Sequence, residues 1–190
     1  MNPLEFDAFA IAARLARALD DGGVPYAIGG AIAYGLWGDP RGTYDVDINL
    51  FVGREQLDRA LDVIEAAGVT LDREAARRAD LDGDVIVGWC DGLRIDLFTP
   101  SIPFSWEAMN TRVRLTGPLG SAAYLSAEAT AVFKLLFFRS KDRVDLEKLV
   151  AVQGGDLDAA YVRRWMVDMM GEDDIRVQEW DRILTAYGPR

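Results

Sequence analysis

The sequence predicts an α+β (α/β) fold in which a mixed β-sheet flanked by helices is followed by a C-terminal helical bundle. As far as about residue 120, short segments with strand-like alternation occur among amphipathic segments with helical spacing. From Ser126 onward the strand pattern almost disappears, and apolar residues recur at helical spacing. We therefore expect a sheet-containing core over residues 1–120 and a helical region packed on it over residues 121–190.

The first half of the chain yields five expected elements. Glycines and turn residues separate these segments, which sets their limits. In chain order the elements are a helix in "FDAFAIAARLARALDDGG", a short strand in "VPYAIGG", a helix in "AIAYGLWG", a strand in "TYDVDINLFV" and an amphipathic helix in "REQLDRALDVIEAAG".

The second half begins with strands and ends with helices. The Asp91–Gly92 pair lies between two apolar runs and predicts a hairpin. The segments are two strands in "DVIVGWCDGLRIDLFTP", a short helix and one strand in "SWEAMNTRVRLTGPLG", one long helix or two with a break near Ser140 in "SAEATAVFKLLFFRSKDRVDLEKLVAV", and helices in "DLDAAYVRRWMVDMM" and "EDDIRVQEWDRILTAYG".

The composition excludes several kinds of catalytic site and indicates where in the cell the protein is found. The chain has no histidine, which excludes Ser–His–Asp and Cys–His catalysis and ordinary zinc sites. The formal net charge of −10 argues against non-specific binding to nucleic acid duplexes. A single cysteine, Cys90, fits a reducing cytoplasm. No apolar run approaches the roughly 20 residues of a membrane helix, so we expect a cytoplasmic protein without a membrane partner.

Two aspartates lie on one face of the strand in "YDVDINL". Since side chains alternate in a strand, Asp45 and Asp47 share a face, about 7 Å apart along the chain. Alternation in "GLRIDLFTP" places Asp96 opposite an apolar face in the same way. If the two strands are neighbours, three carboxylates converge on a surface that suits a hard cation such as Mg²⁺. The alternative is a solvated strand face with an isolated surface acid at Asp96.

A glycine pair, Gly29–Gly30, lies between an expected strand and an expected helix. Glycines there let the backbone approach a ligand closely, and the helix offers free N–H groups to an anion. This favours a phosphate-binding turn, although an ordinary tight turn explains the same residues. Arg41 lies shortly before the aspartate strand, where it can pair with phosphate or balance the acids.

These residues together resemble the nucleotidyltransferase superfamily, the DNA polymerase β-like group. The resemblance covers roughly residues 24–98 and consists of the strand, Gly-Gly, the helix, Arg41-x-Thr43, the Asp-x-Asp strand and a later strand aspartate. It implies a nucleotidyltransferase-type sheet and a site of known composition. The implied catalytic and metal-binding residues are Asp45, Asp47 and Asp96, and the implied nucleotide-binding residues are Gly29, Gly30, Arg41 and Thr43, with Mg²⁺ or Mn²⁺ as the cofactor.

A second segment, "FKLLFFRSKDRVDLEKL", is similar to bacterial abortive-infection and toxin–antitoxin nucleotidyltransferases. If one helix continues through it, four residues lie near one stripe: Lys134, Lys141, Asp142 and Asp145. Lys134 interrupts an apolar run, and a buried ammonium needs a partner. It either holds triphosphate oxygens or reaches the edge of the helix with Asp142 and Asp145 as salt-bridge partners.

The resemblance implies transfer of a nucleoside monophosphate from a nucleoside triphosphate to an acceptor. A small molecule, a tRNA or other RNA end and a protein hydroxyl all remain open as acceptors, as does a protein partner of the antitoxin or toxin kind. The first alternative is a catalytically silent protein of the same fold that binds a nucleotide or a partner. The second is an unrelated α/β interaction domain.

Overall fold

A computed structural model describes the chain over residues 3–118 and 120–189. The chain divides into two compact units. The first runs to Ile32 and resumes over Gly42–Leu125, and the second comprises Ala33–Arg41 and the chain from Ser126 onward. The sequence predicts a boundary at residue 120 and assigns residues 33–41 to the core, so the two divisions differ at these places.

The first unit contains a mixed sheet of seven strands among the described residues, in the order β3-β4-β5-β2-β1-β7-β6. Strand β2 pairs in parallel with β5 and β1 with β7, while the other pairs are antiparallel. This confirms the expected mixed sheet. The strands are β1 (Tyr26–Ile28), β2 (Asp45–Leu50), β3 (Thr70–Leu71), β4 (Ile86–Cys90), β5 (Leu93–Phe98), β6 (Val113–Gly117) and β7 (Gly120–Tyr124).

One face of the sheet forms the apolar core of the first unit. Val46, Ile48 and Ile95 are fully buried there, because strand alternation turns them away from the aspartates. Leu15 and Leu61 come from the helices that belong to this core. The helices that begin in the first unit are α1 (Pro3–Asp21), α2 (Gly30–Trp37), α3 (Leu57–Ala66), α4 (Arg73–Asp82) and α5 (Pro103–Thr111), and a 3-10 turn (Arg54–Gln56) precedes α3.

The hairpin between β4 and β5 turns where the sequence predicts it. Asp91 and Gly92 have φ angles of 52° and 83°, so both central residues occupy the left-handed region. A type I′ turn requires this, and Asp-Gly is among the pairs that adopt it most readily. The turn fixes the register that places Asp96 opposite Val87 on β4.

The second unit is helical in the described residues after Ser126. The segment that allowed one helix or two forms two, which break where Phe138 adopts a left-handed φ of 53°. Trp180 is fully buried in this unit. The helices are α6 (Ala127–Phe137), α7 (Ser140–Gln153), α8 (Ala159–Met170) and α9 (Ile175–Tyr187), with a 3-10 turn (Gly154–Asp156) after α7.

Three elements were not expected from the sequence. Helix α4 buries only Ala76, so it has almost no apolar stripe to reveal it, although Asp72 caps its start and Gly83 ends it. Strand β3 spans only two residues, and β7 contains small residues with little strand preference. No helix in the described part of the chain combines the length and apolar character needed to cross a membrane.

Candidate active site

Strands β2 and β5 bring the three aspartates of the first unit onto one face of the sheet. In the parallel register Asp47 lies directly beside Asp96, and Asp45 lies beside Arg94. Neighbouring strands are about 4.8 Å apart. The condition that the sequence left open, that the two strands be neighbours, is therefore met. All three carboxylates are partly buried, while Val46, Ile48 and Ile95 point into the core.

Arg94 lies on the same face and brings a positive charge to the three aspartates. Its Nε donates to Asp96 Oδ1 over 2.7 Å, and the Asp96 side chain is only 13% exposed. The hydrogen bond to Asp96, followed by the charge of that carboxylate, raises the pKa of the Arg94 guanidinium. Smaller contributions in the same direction come from Asp45 and Asp47. Arg94 therefore lies in the field of all three acids.

The glycine turn packs directly against Asp47. The N–H of Gly29 donates to the Asp47 carbonyl oxygen over 2.8 Å. Gly30 has a φ of 53°, and a Cβ at this position would overlap the Asp47 carboxylate. A Cβ on Gly29 would lie 2.7 Å from the Asn49 side-chain amide. Gly30 could not carry a side chain without moving the Asp47 carboxylate, which lies against this first residue of α2, where the helix dipole favours negative charge.

Thr43 forms a hydrogen bond with Asp45 within the first unit. Its hydroxyl donates to the Asp45 carboxylate and lies 3.2 Å from the Asp45 carbonyl oxygen. Thr43 is almost fully buried, so this contact is shielded from water. The threonine that the resemblance assigned to nucleotide binding thus orients the first aspartate in this structure.

The donors of this face suit a hard divalent cation, because three carboxylates supply oxygen ligands with no sulfur or imidazole. Their side chains are turned to other partners: Asp45 to Thr43 and Asp96 to Arg94. Among the residues that the structure describes, no three carboxylate or thiolate side chains lie close enough together to enclose a metal ion. The strand register fits such a site, and side chains of this face, those of Asp45 and Asp96 among them, would have to turn to form it.

Arg41 and Lys134 both contact Asp145 in the second unit. Arg41 donates to the two Asp145 oxygens over 3.3 and 3.1 Å, and Lys134 Nζ donates to Oδ2 over 2.6 Å. Lys134 also lies 3.6 Å from Asp142 and 4.7 Å from the centre of the Tyr34 ring. Of the two alternatives for Lys134, carboxylate partners are observed, although the side chain is buried rather than at an edge. Its role toward phosphate, like that of Arg41, stays a prediction.

Asp145 is held ionised by these two cations. Burial raises the pKa of its carboxyl, but the hydrogen bonds from Arg41 and Lys134 outweigh burial, and the net pKa lies below the ordinary value. The sequence placed Lys134 and Asp145 in one segment but gave no indication that Arg41, which is 104 residues from Asp145, joins them.

Two further residues of the aspartate face were given no role by the sequence. Alternation placed Arg94 on the face of Asp96, but nothing in the pattern showed that it pairs with that aspartate. Asn49 shares the face of Asp47, and its amide packs against the glycine turn. The Asp-x-Asp-x-Asn spacing is the feature that could have revealed it.

No protein-family model and no curated protein matches the sequence. Solved structures do match it. The antibiotic-resistance factor ANT(2'')-Ia in solution is 14% identical with a TM-score of 0.57, over 87% of this chain and 96% of its own. An antigenic nucleotidyltransferase-like protein from Paracoccidioides brasiliensis is 17% identical with a TM-score of 0.51, over 100% and 97%.

A further structure of ANT(2'')-Ia, in complex with adenylyl-2''-tobramycin, is 15% identical with a TM-score of 0.50, over 92% of this chain and 95% of its own. Likenesses at these identities concern the fold. They confirm the nucleotidyltransferase resemblance at that level: the chain has the α+β fold of nucleotidyltransferases.

Proposed function

We propose that this chain, which has a nucleotidyltransferase fold, is a metal-dependent enzyme that moves a nucleoside monophosphate from a nucleoside triphosphate to an acceptor hydroxyl. One observation carries the proposal. The β2–β5 register places Asp45, Asp47 and Asp96 on one sheet face, with the Gly29–Gly30 turn packed against Asp47. Carboxylates on this face have the donor chemistry for Mg²⁺ or Mn²⁺, and the turn leads into a helix N-terminus.

In the proposed reaction the acceptor oxygen attacks the α-phosphorus. The bond from that phosphorus to the bridging oxygen breaks, and pyrophosphate leaves with the electron pair. Asp45, Asp47 and Asp96 would hold the divalent cation, which when bound supplies positive charge to the phosphate oxygens. Asp96 accepts the proton of the acceptor hydroxyl. The backbone around Gly29 and Gly30 approaches the phosphates without a side chain in the way.

In the proposed reaction, the pairing of Arg94 with Asp96 affects whether that carboxylate can function. While it pairs with Asp96, that carboxylate is less available to accept a proton or to bind a cation. Because the guanidinium is 44% exposed, it can swing toward solvent or toward a phosphate, and a cation bound by the face would then compensate the charge of Asp96, whose side chain is 13% exposed. We therefore expect Arg94 to exchange Asp96 for the nucleotide when the site fills.

Single-turnover labelling tests the proposal. The protein is mixed with α-labelled or γ-labelled nucleoside triphosphates, Mg²⁺ and candidate acceptors, and the transferred label is followed. Label from the α-position should move to an acceptor, and label from the γ-position should not. Asp47→Asn should slow transfer by roughly 100-fold or more, since it removes charge from the developing transition state. Asp21→Asn, an exposed change on α1, is the matched control. Unchanged transfer by Asp47→Asn would exclude the assignment.

A catalytically silent nucleotide-binding or partner-binding protein is the second candidate. It is favoured by the bonds of Asp45 to Thr43 and of Asp96 to Arg94, because these bonds engage carboxylates that a cation would need. Calorimetry separates the two candidates. Mg²⁺-dependent nucleotide binding without any turnover in the labelling assay would favour the silent protein.

A place in a toxin–antitoxin or phage-defence system is a proposal that rests on the segment from Lys134 to Asp145 alone. In that setting the acceptor is a small molecule, an RNA 3′ end or a protein hydroxyl, and the partner is an antitoxin or toxin. The adenylylated tobramycin bound to ANT(2'')-Ia is an example of a small-molecule acceptor on the same fold.

A further inference from the structure

Strand β4 exposes two large apolar side chains beside the aspartate face. Its burial pattern alternates strictly, with Ile86, Gly88 and Cys90 buried and the two residues between them exposed. Trp89 is 54% exposed and Val87 is 37% exposed, although β4 lies between β3 and β5 rather than at an edge of the sheet. An interior strand therefore turns a tryptophan to solvent.

The sheet register brings both side chains close to the candidate active site. Val87 lies directly opposite Asp96, so their Cβ atoms are about 5 Å apart. Trp89 lies opposite Arg94 and diagonal to Asp96, a separation of about 7–8 Å that an aromatic side chain can span. Since β5 in turn pairs with β2, the face presents one row of Trp89, Arg94 and Asp45 and a second of Val87, Asp96 and Asp47.

The charge of this face indicates what kind of molecule it can bind. Three carboxylates lie there with Arg94 as the cation among them in these two rows, and the chain as a whole carries a net charge of −10. A nucleic acid end would add further phosphates to a face where the proposed function already places a nucleoside triphosphate. A protonated amine would be attracted by the combined negative charge of the three carboxylates and the triphosphate, and by the face of an indole ring.

The apolar side chains indicate that the molecule bound by this face contains a ring. An exposed tryptophan offers a flat surface on which a saturated or aromatic ring can lie, while its neighbours offer hydrogen-bond acceptors for hydroxyls. Single exposed apolar residues are common on protein surfaces. The combination of a tryptophan, a valine and three carboxylates on adjoining strands of one face is what makes this surface a candidate binding site.

We propose that Trp89 and Val87 form the acceptor subsite, and that the acceptor is a small, ring-bearing alcohol with at least one protonated amine. The ring packs on the Trp89 indole, the amine lies near the carboxylates, and the reacting hydroxyl comes within reach of Asp96. This inference rests on the proposed function and names the acceptor class for the same site. Trp89 contacts the acceptor rather than the nucleotide.

A titration followed by NMR tests the subsite. Tobramycin and glucosamine are the probes, because both carry rings, hydroxyls and protonated amines. The indole N–H signal of Trp89 is assigned with Trp89→Phe and should shift during the titration. In Trp89→Ala the dissociation constant for tobramycin should rise on the order of tenfold, a typical loss for one desolvated cation–π and stacking contact. Trp106→Ala removes a similarly exposed tryptophan of α5 and should leave the affinity unchanged.

Three results would overturn the acceptor subsite. In the first, neither probe shifts the Trp89 signal. In the second, Trp106→Ala weakens tobramycin as much as Trp89→Ala does. In the third, an RNA hairpin with a free 3′ end shifts the Trp89 signal and displaces tobramycin, which would assign the surface to nucleic acid. Binding of Mg²⁺ together with each of ATP, GTP, CTP and UTP by the wild-type protein is measured in parallel. Its absence would refute the proposed function, whereas its presence with an unshifted Trp89 refutes the subsite alone.

Discussion

At Gly30 both the backbone conformation and the position of the Asp47 carboxylate depend on the absence of a side chain. Its positive φ is accessible to glycine at little cost, and the space where a Cβ would stand is filled by the Asp47 carboxylate. A side chain at this position would therefore strain the turn and displace the central aspartate together. Two effects that are usually separate, one on stability and one on the site, should appear in one variant.

We predict that Gly30→Ala lowers the free energy of unfolding by about 1–3 kcal/mol, the usual range for forcing a residue into a disfavoured backbone region. Urea denaturation measures this change. Gly155→Ala is the control, because its Cβ would meet no atom within 4 Å and its φ is not in the left-handed region. Equal loss of stability in the two variants would contradict the close approach of Gly30 to Asp47.

Lys134 is a buried charge of the second unit whose removal should lower the stability of the fold. It is 6% exposed and lies between two carboxylates that are themselves buried, Asp142 and Asp145. Removing the cation leaves both acids with less compensation in a poorly solvated place, which costs more than the loss of a surface ion pair.

We predict that Lys134→Met destabilises the protein by about 3–5 kcal/mol, measured by thermal or urea unfolding. The matched control is Lys148→Met, whose exposed pair with Asp39 should contribute little. A wild-type unfolding midpoint for Lys134→Met would show that this ion pair does not stabilise the fold. That outcome would leave phosphate binding as the remaining proposed role of Lys134.

At the scale of elements, helix α7 holds the segment over residues 37–41, here called the linker segment. Three hydrogen bonds are spaced along the helix. They join Gln153 to the Trp37 carbonyl oxygen, Lys148 to Asp39, and Asp145 to Arg41. The contacts move toward the start of α7 as the segment proceeds from Trp37 to Arg41, so the linker segment runs antiparallel along α7.

We predict that the double change Lys148→Ala and Gln153→Ala frees the linker segment. Trypsin should then cleave after Arg41 several-fold faster than in the wild-type protein, because local opening governs cleavage of folded chains. Lys141→Ala, an exposed change on the same helix, is the control. The cleavage rate is followed by mass spectrometry. An unaltered rate after Arg41 would mean that the Arg41–Asp145 contact alone holds the segment.

The contact between α7 and α9 should make stability depend on pH. The hydrogen bond from Arg182, followed by that from Arg143, lowers the pKa of Glu179 to about 2. Since an unfolded glutamate has a pKa of about 4.3, this carboxylate stabilises the folded state fully above that value. The contribution is lost as pH falls from there toward 2.

We predict that Glu179→Gln lowers the free energy of unfolding at pH 6 and has a progressively smaller effect as the pH falls to 2.5. Urea unfolding at a series of pH values measures the difference between the variant and the wild-type protein. A difference that is constant over this range would mean that the glutamate's charge contributes nothing and that only packing is lost.

The elements differ in how far the sequence revealed them, for physical reasons. The hairpin at Asp91–Gly92 was predictable because its turn needs two residues with positive φ, which this pair adopts at low cost. The two helices α6 and α7 were left ambiguous because Phe138, where they break, is a residue type that rarely takes that conformation. Helix α4 went unpredicted because one buried alanine gives no periodic apolar stripe.

At the scale of the whole molecule, the sequence predicted which strand faces the three aspartates occupy, but it did not predict which strands are neighbours. Alternation alone put Asp45 and Asp47 on one face and Asp96 on a face of the same kind, since the period of a strand is fixed. That β2 and β5 are neighbours depends on contacts between distant parts of the chain, which no local pattern encodes. The same holds for Arg41 and Asp145.

The central claim is that the face of β2 and β5 binds a metal ion together with a nucleotide. Crystals soaked with Mn²⁺ and a non-hydrolysable nucleoside triphosphate test it most directly, because anomalous scattering locates manganese without prior assumptions. We predict a manganese peak within coordination distance of Asp47 and of at least one of Asp45 and Asp96, with the nucleotide phosphates beside Gly29 and Gly30. A nucleotide bound elsewhere, or manganese peaks only at other carboxylates, would contradict the claim.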